Sequence, residues 1–562
     1  FAQLTNSLVL NRGTGSPTYT GATTKTVTDN EGVMRTAIAG EARFVGARRV
    51  RNLLTQTESF GANWVKEGAI THSVSNGVLT LNLPANQTDR LYVAGGANPS
   101  TTIIDSVYLW ASAPTTVVLR HIRNVGGDTN KTISVTTTPT RYTTDAISSG
   151  ATNTNNFLAI VNSENVAKTV FVQYPQMEDI TGRTDQTTPS EYVSVGVLSA
   201  PYHGAGVDGV KYFDTDLSGN PIAASTLKGY LAEPAATNLC LQSADLGTTW
   251  TNNNTTESTN ATTAPDGTTT ADKLIEAATN TSHTIHNTVA GTSGVYTTSV
   301  YLKAAERTWA YITEGNSVTA TAYFNLANGV VGTVNGTGSP SSKIVDVGGG
   351  WYRCSMTFTA GANANIQIGT STGDTISTFL GDITKGIYVW GAQLELGSAA
   401  TSYIPTTTVA VARNADVLTY PSAGNIDGTV GWCYAEYSTL GSNPNARVIG
   451  CGDTASANTV LFASPTAGSK ASIYDGTASV SSTGVMSAVN TVVNGATTWG
   501  GSTMSACADG ETPVSGAFDG NIALTGGIGI GVGGSVPWNG HIGNVRIGHR
   551  QLSNSELQAI TR

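Results

Sequence analysis

Charged side chains are scarce in this sequence, and their scarcity excludes one class of partner. Only 12% of the 562 residues are Asp, Glu, Lys or Arg, about half the usual share in a soluble domain, and the net charge is −9. The nearest approach to a basic cluster is Arg48, Arg49 and Arg51. Because phosphate contacts require clustered Lys and Arg, we expect no nucleic-acid partner.

Long apolar runs and paired cysteines are also missing. No stretch of about 18 apolar residues occurs, so we expect no membrane insertion, and no signal peptide is recognisable. The cysteines are few, widely spaced and without a C-x-x-C pair: Cys240, Cys354, Cys433, Cys451 and Cys507. This pattern favours buried, reduced thiols in a protein made in a reducing host cytoplasm.

Recognisable catalytic motifs are absent as well. The sequence has no G-x-S-x-G elbow, no H-E-x-x-H pair and no Walker loop. His283 and His286 would face opposite sides of a strand, which disfavours a metal site. Glu178 and Glu395 stand at equivalent positions of two segments of the chain that repeat each other, which favours the same structural role for both. We expect no enzymatic activity, no metal and no cofactor, although 38 Asp and Glu leave a glycosidase pair open.

The sequence is instead rich in Thr, Ser, Asn and Gly, with 64 Gly. Thr favours strands, and Gly and Asn favour turns, so this composition is typical of short strands joined by tight connections. Period-two alternation is frequent. In Trp351–Thr359, for example, Cys354 falls on the inward face of a half-buried strand. The sequence therefore predicts an all-β fold of tandem β-sandwich or jelly-roll domains.

Two long segments repeat each other with four anchors in the same order. The matched pairs are Asn52–Trp64 with Asn238–Trp250, Val107–Ser112 with Val300–Ala305, Val172–Glu178 with Val389–Glu395, and Thr188–Tyr192 with Tyr403–Thr406. An accidental match of four ordered anchors is improbable, so the repeat predicts two homologous sandwiches.

A third unit begins near Asp416. Its predicted strands include Gly431–Tyr437 and the Gly-rich run Gly526–Gly534. At the end of the chain, Ser553 and Glu556 form a capping-box pattern, which predicts a short C-terminal helix.

The repeats resemble the carbohydrate-binding-module-like jelly rolls of bacteriophage structural proteins, especially head spike or head fibre domains. The residues that carry this resemblance are Glu233–Leu239, Trp250, Val300–Lys303, Gly350–Arg353 and Gly391–Thr406. The first copy departs from the pattern, because it has Tyr174–Glu178 and lacks Tyr-Ile-Pro. The C-terminal unit is similar to concanavalin-A-like or laminin-G-like domains through Trp538–Gly548 and Leu552–Gln558.

These comparisons suggest five segments. They are 1–51, an N-terminal β segment; 52–200, a first jelly roll; 201–237, a β connector; 238–415, a second jelly roll; and 416–562, a laminin-G-like or concanavalin-A-like sandwich. The resemblance implies a non-enzymatic fibre or spike at the virion surface, attached to other virion proteins of the head or tail. It also implies adhesion to bacterial or environmental glycans and a homo-oligomer, commonly a trimer.

The resemblance also makes calcium possible, and turns such as Asp29-Asn30 would suit it. Two alternatives stay open: a receptor-binding tail fibre or tailspike with glycan depolymerase activity, and a secreted bacterial glycan-binding protein. Sugar sites use exposed aromatic rings, and Trp110 and Trp538 are the candidates for such rings. Trp64 and Trp250 are repeat-equivalent, which favours packing in the interior.

Overall fold

A computed structural model describes most of the chain. The described residues are 2–86, 88–96, 98–150, 152–162, 164–196, 202–315, 319–361, 363–441, 446–451, 459–464, 469–484, 491–524, 526–532 and 538–562. The structure is all-β with one short α-helix in these residues, as the sequence predicts. Within them, no helix has the length and apolar character needed to cross a membrane.

The strands of the N-terminal segment and of the first repeat are short and follow one another closely. In chain order they are β1 (Ala2–Gln3), β2 (Thr18–Thr20), β3 (Lys25–Thr28), β4 (Met34–Ala37), β5 (Phe44–Val45), β6 (Arg48–Arg51), β7 (Trp64–Glu67), β8 (Thr71–Ser75), β9 (Val78–Leu83), β10 (Arg90–Gly96), β11 (Thr102–Ala111), β12 (Thr115–Arg123), β13 (Thr129–Val135), β14 (Thr140–Thr143), β15 (Ile147–Ser148), β16 (Asn156–Asn162), β17 (Lys168–Asp179) and β18 (Val210–Phe213). A 3-10 turn at Tyr202–Gly204 precedes β18.

The second repeat has a similar series of strands. They are β19 (Gly229–Ala232), β20 (Ala236–Asn238), β21 (Thr251–Asn253), β22 (Thr255–Thr262), β23 (Ala271–Glu276), β24 (Asn280–Thr281), β25 (Thr284–Ala290), β26 (Gly294–Ala304), β27 (Trp309–Glu314), β28 (Ala320–Asn325), β29 (Val330–Gly336), β30 (Ser341–Gly348), β31 (Trp351–Ala360), β32 (Asn363–Ser371), β33 (Phe379–Leu380), β34 (Gly386–Leu396) and β35 (Val411–Arg413).

The C-terminal region completes the series. It contains β36 (Val417–Tyr420), β37 (Gly431–Thr439), β38 (Arg447–Cys451), β39 (Thr459–Ser464), β40 (Ser469–Tyr474), β41 (Ser479–Ser481), β42 (Val493–Gly500), β43 (Thr503–Ala508), β44 (Val514–Ala517), β45 (Ile528–Ile530), β46 (Gly540–Gly548) and α1 (Asn554–Ile560). The strand predicted in the Gly-rich run is found at Ile528–Ile530, and Gly533 and Gly534 lie outside the described residues.

The chain forms two compact units. A small unit comprises Asn6–Leu8 and Ala47–Ala223, and a large unit comprises Val9–Gly46 and Ala224–Arg562 with the first residues of the chain. The small unit holds the first sandwich. One of its antiparallel sheets has the order β13-β12-β16-β10-β7, and the other has the order β14-β11-β17-β9-β8, with β15 on β11. Leu79, Leu109 and Ile160 belong to the apolar core of this sandwich.

The second sandwich, in the large unit, repeats that order. Its sheets are β21-β25-β32-β27-β28-β29 and β22-β23-β34-β26-β31-β30, so an added pair, β29 and β30, extends one edge of each sheet. Cys354 lies in its core, as the alternation of β31 predicts. All five cysteines of the chain are buried and form no disulfide, which confirms the prediction of buried thiols.

The third sandwich draws strands from distant parts of the chain. Its sheets are β44-β43-β42-β37-β46-β19-β5, with β1 on β46, and β2-β36-β45-β38-β39-β40-β41. Strands β1, β2, β5 and β19 therefore come from the segments predicted as N-terminal piece and connector. Helix α1 has the predicted capping box between Ser553 and Glu556, and Leu557 is buried at its inner side.

One buried asparagine closes each repeated sandwich. In the first sandwich, Asn52 Nδ2 donates to the carbonyls of Pro175 at 3.0 Å and Val193 at 2.9 Å. Its Oδ1 accepts from the amides of Leu54 at 3.1 Å and Met177 at 3.2 Å. This one side chain thereby joins three segments. They are the entry segment, which begins at Asn52, the last long strand, β17, and the closing segment, which contains Val193.

Asn238 does the same in the second sandwich. Its Nδ2 donates to the carbonyls of Ala392 at 3.1 Å and Ile404 at 2.8 Å. Its Oδ1 accepts from the amides of Cys240 at 3.0 Å and Leu394 at 3.1 Å. Two sequence-equivalent residues with the same four bonds show that the repeat read from the sequence is a structural repeat.

A β-bulge precedes each of these contacts. It interrupts the pairing of β17 with β11 and of β34 with β26 at equivalent places. The residue with positive φ is Tyr174 in the first copy, at 52°, and Gly391 in the second, at 64°. A Cβ at Gly391 would lie 2.9 Å from Tyr301 Cδ2, so the second copy requires glycine there.

A buried ion cluster joins separate segments of the large unit. Arg43 Nη2 donates to Glu233 Oε2 at 2.8 Å and to Asp416 Oδ2 at 2.6 Å. Arg413 Nη1 donates to Glu233 Oε2 at 2.7 Å, and Lys25 pairs with Asp416. The side chains of these five residues are at most 1% exposed. Because the cluster is dry, each charge depends on its partners.

The carboxylates of this cluster are held ionised. Burial raises the pKa of Glu233, but Arg413 and Arg43 outweigh burial and lower that pKa well below its ordinary value. Burial likewise raises the pKa of Asp416, but Arg43 and Lys25 lower it. Both folded-state pKa values therefore lie below those of the unfolded chain, near 4.

We expect Glu233→Gln to destabilise the large unit by about 3–5 kcal/mol, because it leaves the buried Arg413 without a carboxylate and Arg43 with that of Asp416 alone. Urea denaturation followed by hydrogen–deuterium exchange of large-unit peptides measures this loss. The matched control is Glu306→Gln, which removes a solvent-accessible partner of Lys273 in the same unit. The control should cost less than about 1 kcal/mol. Equal losses in the two variants would contradict the role of the cluster.

The same cluster predicts a pH dependence. Because the pKa values of Glu233 and Asp416 are lowered on folding, their contribution is present above about pH 4 and is lost as the pH falls further. The urea midpoint of the wild type should therefore drop between pH 5 and pH 3. Glu233→Gln should show a smaller drop, and an undiminished drop in that variant would show that other groups govern acid unfolding.

Candidate functional site

Trp110 lies on the outward face of the first sandwich. Along β11, Val107, Leu109 and Ala111 point into the core, whereas Tyr108 and Trp110 alternate with them and are half-buried. Trp110 therefore occupies an outward strand position, although its side chain is partly buried and not fully exposed. Its indole ring is available on a sheet face rather than on a mobile loop.

Phe171 of β17 is the direct cross-strand partner of Trp110. The two rings are stacked, with centroids 5.4 Å apart and planes inclined by 20°. Both side chains are half-buried. Each ring covers part of one face of the other, and the outer face of the pair, one ring wide, has a suitable shape for the apolar face of a sugar.

A polar row borders this aromatic pair. Asn82 Nδ2 donates to Thr71 Oγ1 at 3.2 Å, and Thr169 Oγ1 donates to Asn82 Oδ1 at 2.7 Å. These side chains come from β8, β9 and β17 in direct register. They and Ser112 line an open depression of about 420 Å³. The depression lies next to the aromatic pair, because Ser112 and Thr169 are two positions along the chain from Trp110 and Phe171, but the two rings do not line it themselves. Hydroxyl and amide groups at its wall could bind sugar hydroxyls.

More aromatic rings continue the face on the other side of Trp110. Tyr108 and Tyr174 have ring centroids 5.9 Å apart, and Tyr174 and Tyr192 have centroids 4.7 Å apart. Tyr192 Oη is within 2.6 Å of Thr57 Oγ1, and burial raises the pKa of this phenol. Tyr108, Tyr174 and Tyr192 are all half-buried, so the phenol rings widen the aromatic surface.

Trp538 does not present an exposed ring, and that expectation was wrong. Its side chain is fully buried in the third sandwich, with the ring 5.6 Å from that of Tyr437 and nearly perpendicular to it. Its Nε1 donates to the carbonyl of Ser438 at 3.2 Å. The ring occupies space left by Gly540, where a Cβ would lie 2.8 Å from Trp538 Nε1.

Trp64 and Trp250 are buried, as the repeat predicts, with exposures of 4% and 8%. Each indole donates to a backbone carbonyl of its own entry segment, Thr55 for Trp64 at 3.3 Å and Gln242 for Trp250 at 3.2 Å. These two tryptophans are parts of the cores and have no free face for a ligand.

Glu178 holds the closing segment of the first sandwich. Its Oε1 accepts from Gln176 Nε2 at 2.8 Å and from the Ser190 amide at 2.8 Å. Gln176 Oε1 in turn accepts from the Val193 amide at 2.7 Å. Glu178 is 3% exposed. Its oxygens are engaged by the fold, and they do not face a cleft.

Glu395 does the same in the second sandwich. Its Oε1 accepts from Gln393 Nε2 at 2.6 Å and from the Thr401 amide at 2.8 Å, and Gln393 Oε1 accepts from the Ile404 amide at 2.8 Å. Burial raises its pKa, although hydrogen bonds from Thr401 and Gln393 oppose the rise. Two equivalent glutamates with equivalent bonds are consistent with a structural role performed twice.

Side chains that could bind a metal ion form hydrogen bonds or ion pairs within the protein instead. Asp29, considered for calcium, accepts from the amides of Glu31 at 2.9 Å and Val33 at 3.0 Å and pairs with Arg35 at 2.7 Å. His283 is buried, with Nδ1 2.9 Å from the Asn254 carbonyl. Among the described residues, no group of three His, Cys, Asp or Glu side chains could hold a metal ion.

The sequence identified Trp110 but missed its surroundings. Phe171, Asn82 and Thr71 were not singled out, although a signal for Phe171 was present, since it directly precedes the repeated segment Val172–Glu178. Cross-strand register would have been needed to place it beside Trp110.

No family model matches the sequence, and no curated protein matches it. Among solved structures, the chain is similar to the N-terminal CBM22-1–CBM22-2 tandem domain of Xyn10C from Paenibacillus barcinonensis. The identity is 10%, the TM-score is 0.20, and the match covers 62% of this chain and 97% of that chain. The proposals below rest on this chain's own residues.

Trp64→Ala and Trp110→Ala should have different effects on the small unit. Trp64 is 4% exposed in the core, so its truncation should cost about 3–5 kcal/mol. Trp110 lies outside the core, so its truncation should cost about 1–2 kcal/mol, mainly the stacking on Phe171. Urea denaturation of the two variants measures the difference. If Trp110→Ala proves as costly as Trp64→Ala, Trp110 belongs to the core.

Proposed function

We propose that this protein is a non-enzymatic fibre or spike protein of a bacteriophage particle that displays glycan-binding β-sandwiches at the virion surface. The observation that carries glycan binding is the stacked pair of Trp110 and Phe171 beside a polar depression. A pyranose ring offers C–H groups to an aromatic face and hydroxyls to its edge. The aromatic pair meets the first requirement, and the row of Thr71, Asn82 and Thr169 meets the second.

The virion assignment is supported by the residues that resemble phage head fibre or spike domains, chiefly Glu233–Leu239 and Gly391–Thr406. These segments build the closing parts of the second sandwich, where Glu233, Asn238 and Gln393 make buried bonds. In this proposal the partners are capsid or tail proteins and bacterial surface or environmental glycans. A homotrimer would multiply a weak site through avidity.

The proposal that the protein is not an enzyme is supported by the surroundings of the glutamates that stand out in the sequence. Glu178 and Glu395 accept hydrogen bonds from the segments they fix, and Glu233 is enclosed by arginines. A glycosidase needs two carboxyl groups on opposite sides of one sugar. These three residues are each committed to holding the fold together.

The test is binding of the full chain to a panel of polysaccharides from bacterial surfaces, measured by biolayer interferometry. We expect Trp110→Ala and Phe171→Ala each to weaken binding at least about tenfold, since each removes part of the stacking surface. Leu380→Ala, which removes a 68% exposed side chain from the short strand β33 of the large unit, is the control and should bind as the wild type does.

Two further measurements accompany the polysaccharide-binding panel. Immunogold electron microscopy with antibodies to the chain should label phage particles, and incubation with bound polysaccharide should release no reducing ends. Failure of the wild type to bind any glycan would refute the binding function, and release of reducing ends would refute the non-enzymatic assignment.

A further inference from the structure

The two repeated sandwiches carry different side chains on the same outward face. At the positions of Trp110 and Phe171, the second sandwich has Lys303 and Tyr388, which are also cross-strand partners. Lys303 Nζ lies 6.0 Å from the centroid of the Trp351 ring. The ammonium group of Lys303 therefore lies near the face of the Trp351 ring, and no aromatic ring stands at the position that Trp110 has in the first sandwich.

A loop covers the neighbouring aromatic rings of the second sandwich. Strands β22 and β23 are joined by residues 263–270, whereas β8 and β9 of the first sandwich are joined by Asn76 and Gly77 alone. Trp351 Nε1 donates to the carbonyl of Thr263 at 3.1 Å, and Trp390 Nε1 donates to Thr270 Oγ1 at 3.1 Å. Both indole N–H groups are therefore bonded to the loop.

The N-terminal hairpin completes the cover. The amide of Met34, in β4, donates to the carbonyl of Pro265 in that loop at 2.9 Å. Met34 is buried with Tyr301, Trp351, Trp390 and Tyr403, whose exposures are 2–3%. The second face is thus an internal docking surface for the chain's own residues. Tyr108 and Tyr192, the first-sandwich equivalents of Tyr301 and Tyr403, are half-buried.

Charge separates the two faces as well. On β8, β9 and β17, the outward positions around the aromatic pair of the first sandwich are Ser73, Thr80, Asn82 and Thr169, all uncharged. On β14, Arg141 is the cross-strand partner of Tyr108 and donates to Ser106 Oγ at 2.8 Å and to the Ser190 carbonyl at 2.6 Å. Lys168 lines the depression, but its Nζ is bound to the Thr116 carbonyl at 2.7 Å and to Glu164 at 3.1 Å. In the second sandwich, by contrast, Lys273 stands at the position of Thr80, and Lys303 stands at that of Trp110.

We infer that, of the two repeated sandwiches, only the first carries a glycan site, and that this site takes an uncharged glycan. The inference rests on the proposed glycan-binding function. Lys168 and Arg141 are already bonded within the protein, so burial of an acidic sugar's carboxylate beside Trp110 would be unfavourable. A neutral sugar needs only the stacked rings and the hydroxyl and amide groups of the polar row.

The experiment is isothermal titration calorimetry of the full chain with size-matched oligosaccharides from the neutral and the acidic polysaccharides of the binding panel. The expected result is binding of neutral oligosaccharides only, at one of the two repeated sandwiches. The affinity should not change between 50 and 500 mM NaCl, because no ion pair is formed with the ligand. Lys303→Ala and Tyr388→Ala should bind with wild-type affinity, whereas Trp110→Ala should lose at least about tenfold.

The possible failures separate the two proposals. A site whose binding is lost in Lys303→Ala or Tyr388→Ala, or tighter binding of the acidic oligosaccharide, would overturn this inference and leave glycan binding itself intact. If no oligosaccharide gives a heat of binding and no polysaccharide of the panel binds, both the proposed function and this inference are overturned. Circular dichroism of each variant establishes that the sandwiches remain folded.

Discussion

The architecture depends on one buried asparagine in each repeated sandwich. A side-chain amide offers two N–H donors and two acceptor lone pairs, and Asn52 and Asn238 each use all four. A buried amide left unsatisfied costs about 1–3 kcal/mol per group, so these bonds stabilise one relative position of three segments. The register of β17 and β34, and with it the content of each outward face, follows from that position.

Features that depend on neighbours along the chain could be predicted from the sequence. Alternation within β31 placed Cys354 inside, and the capping box at Ser553 located the helix, because each involves residues a few positions apart. The repeat placed Trp64 and Trp250 in the cores, since the same residue at the same point of two copies favours the same packing role. These signals are local or duplicated, and both kinds are visible in one sequence.

Features that depend on distant segments could not be predicted. Trp538 is buried because it packs against Tyr437 and donates to the carbonyl of Ser438, 100 positions earlier in the chain, and nothing beside it in the sequence reveals this. The ion cluster brings Lys25 and Arg43 to Asp416, more than 370 positions away in the sequence. Low overall charge concealed the cluster, because a few buried ions have little effect on composition. Phe171 beside Trp110 likewise required a register that only the folded sheet supplies.

The two copies show how one fold acquires two uses for the same face. Both have the bulge that gives the last long strand its bend, and both have the asparagine closure, so their interiors impose the same constraints. Outside those constraints, a longer β22–β23 loop and Lys303 cover the second face, and that face then packs against β4. A two-residue turn and Trp110 leave the first face open. Loop length and one outward residue, rather than the core, therefore determine whether such a face stabilises the chain or remains available to a ligand.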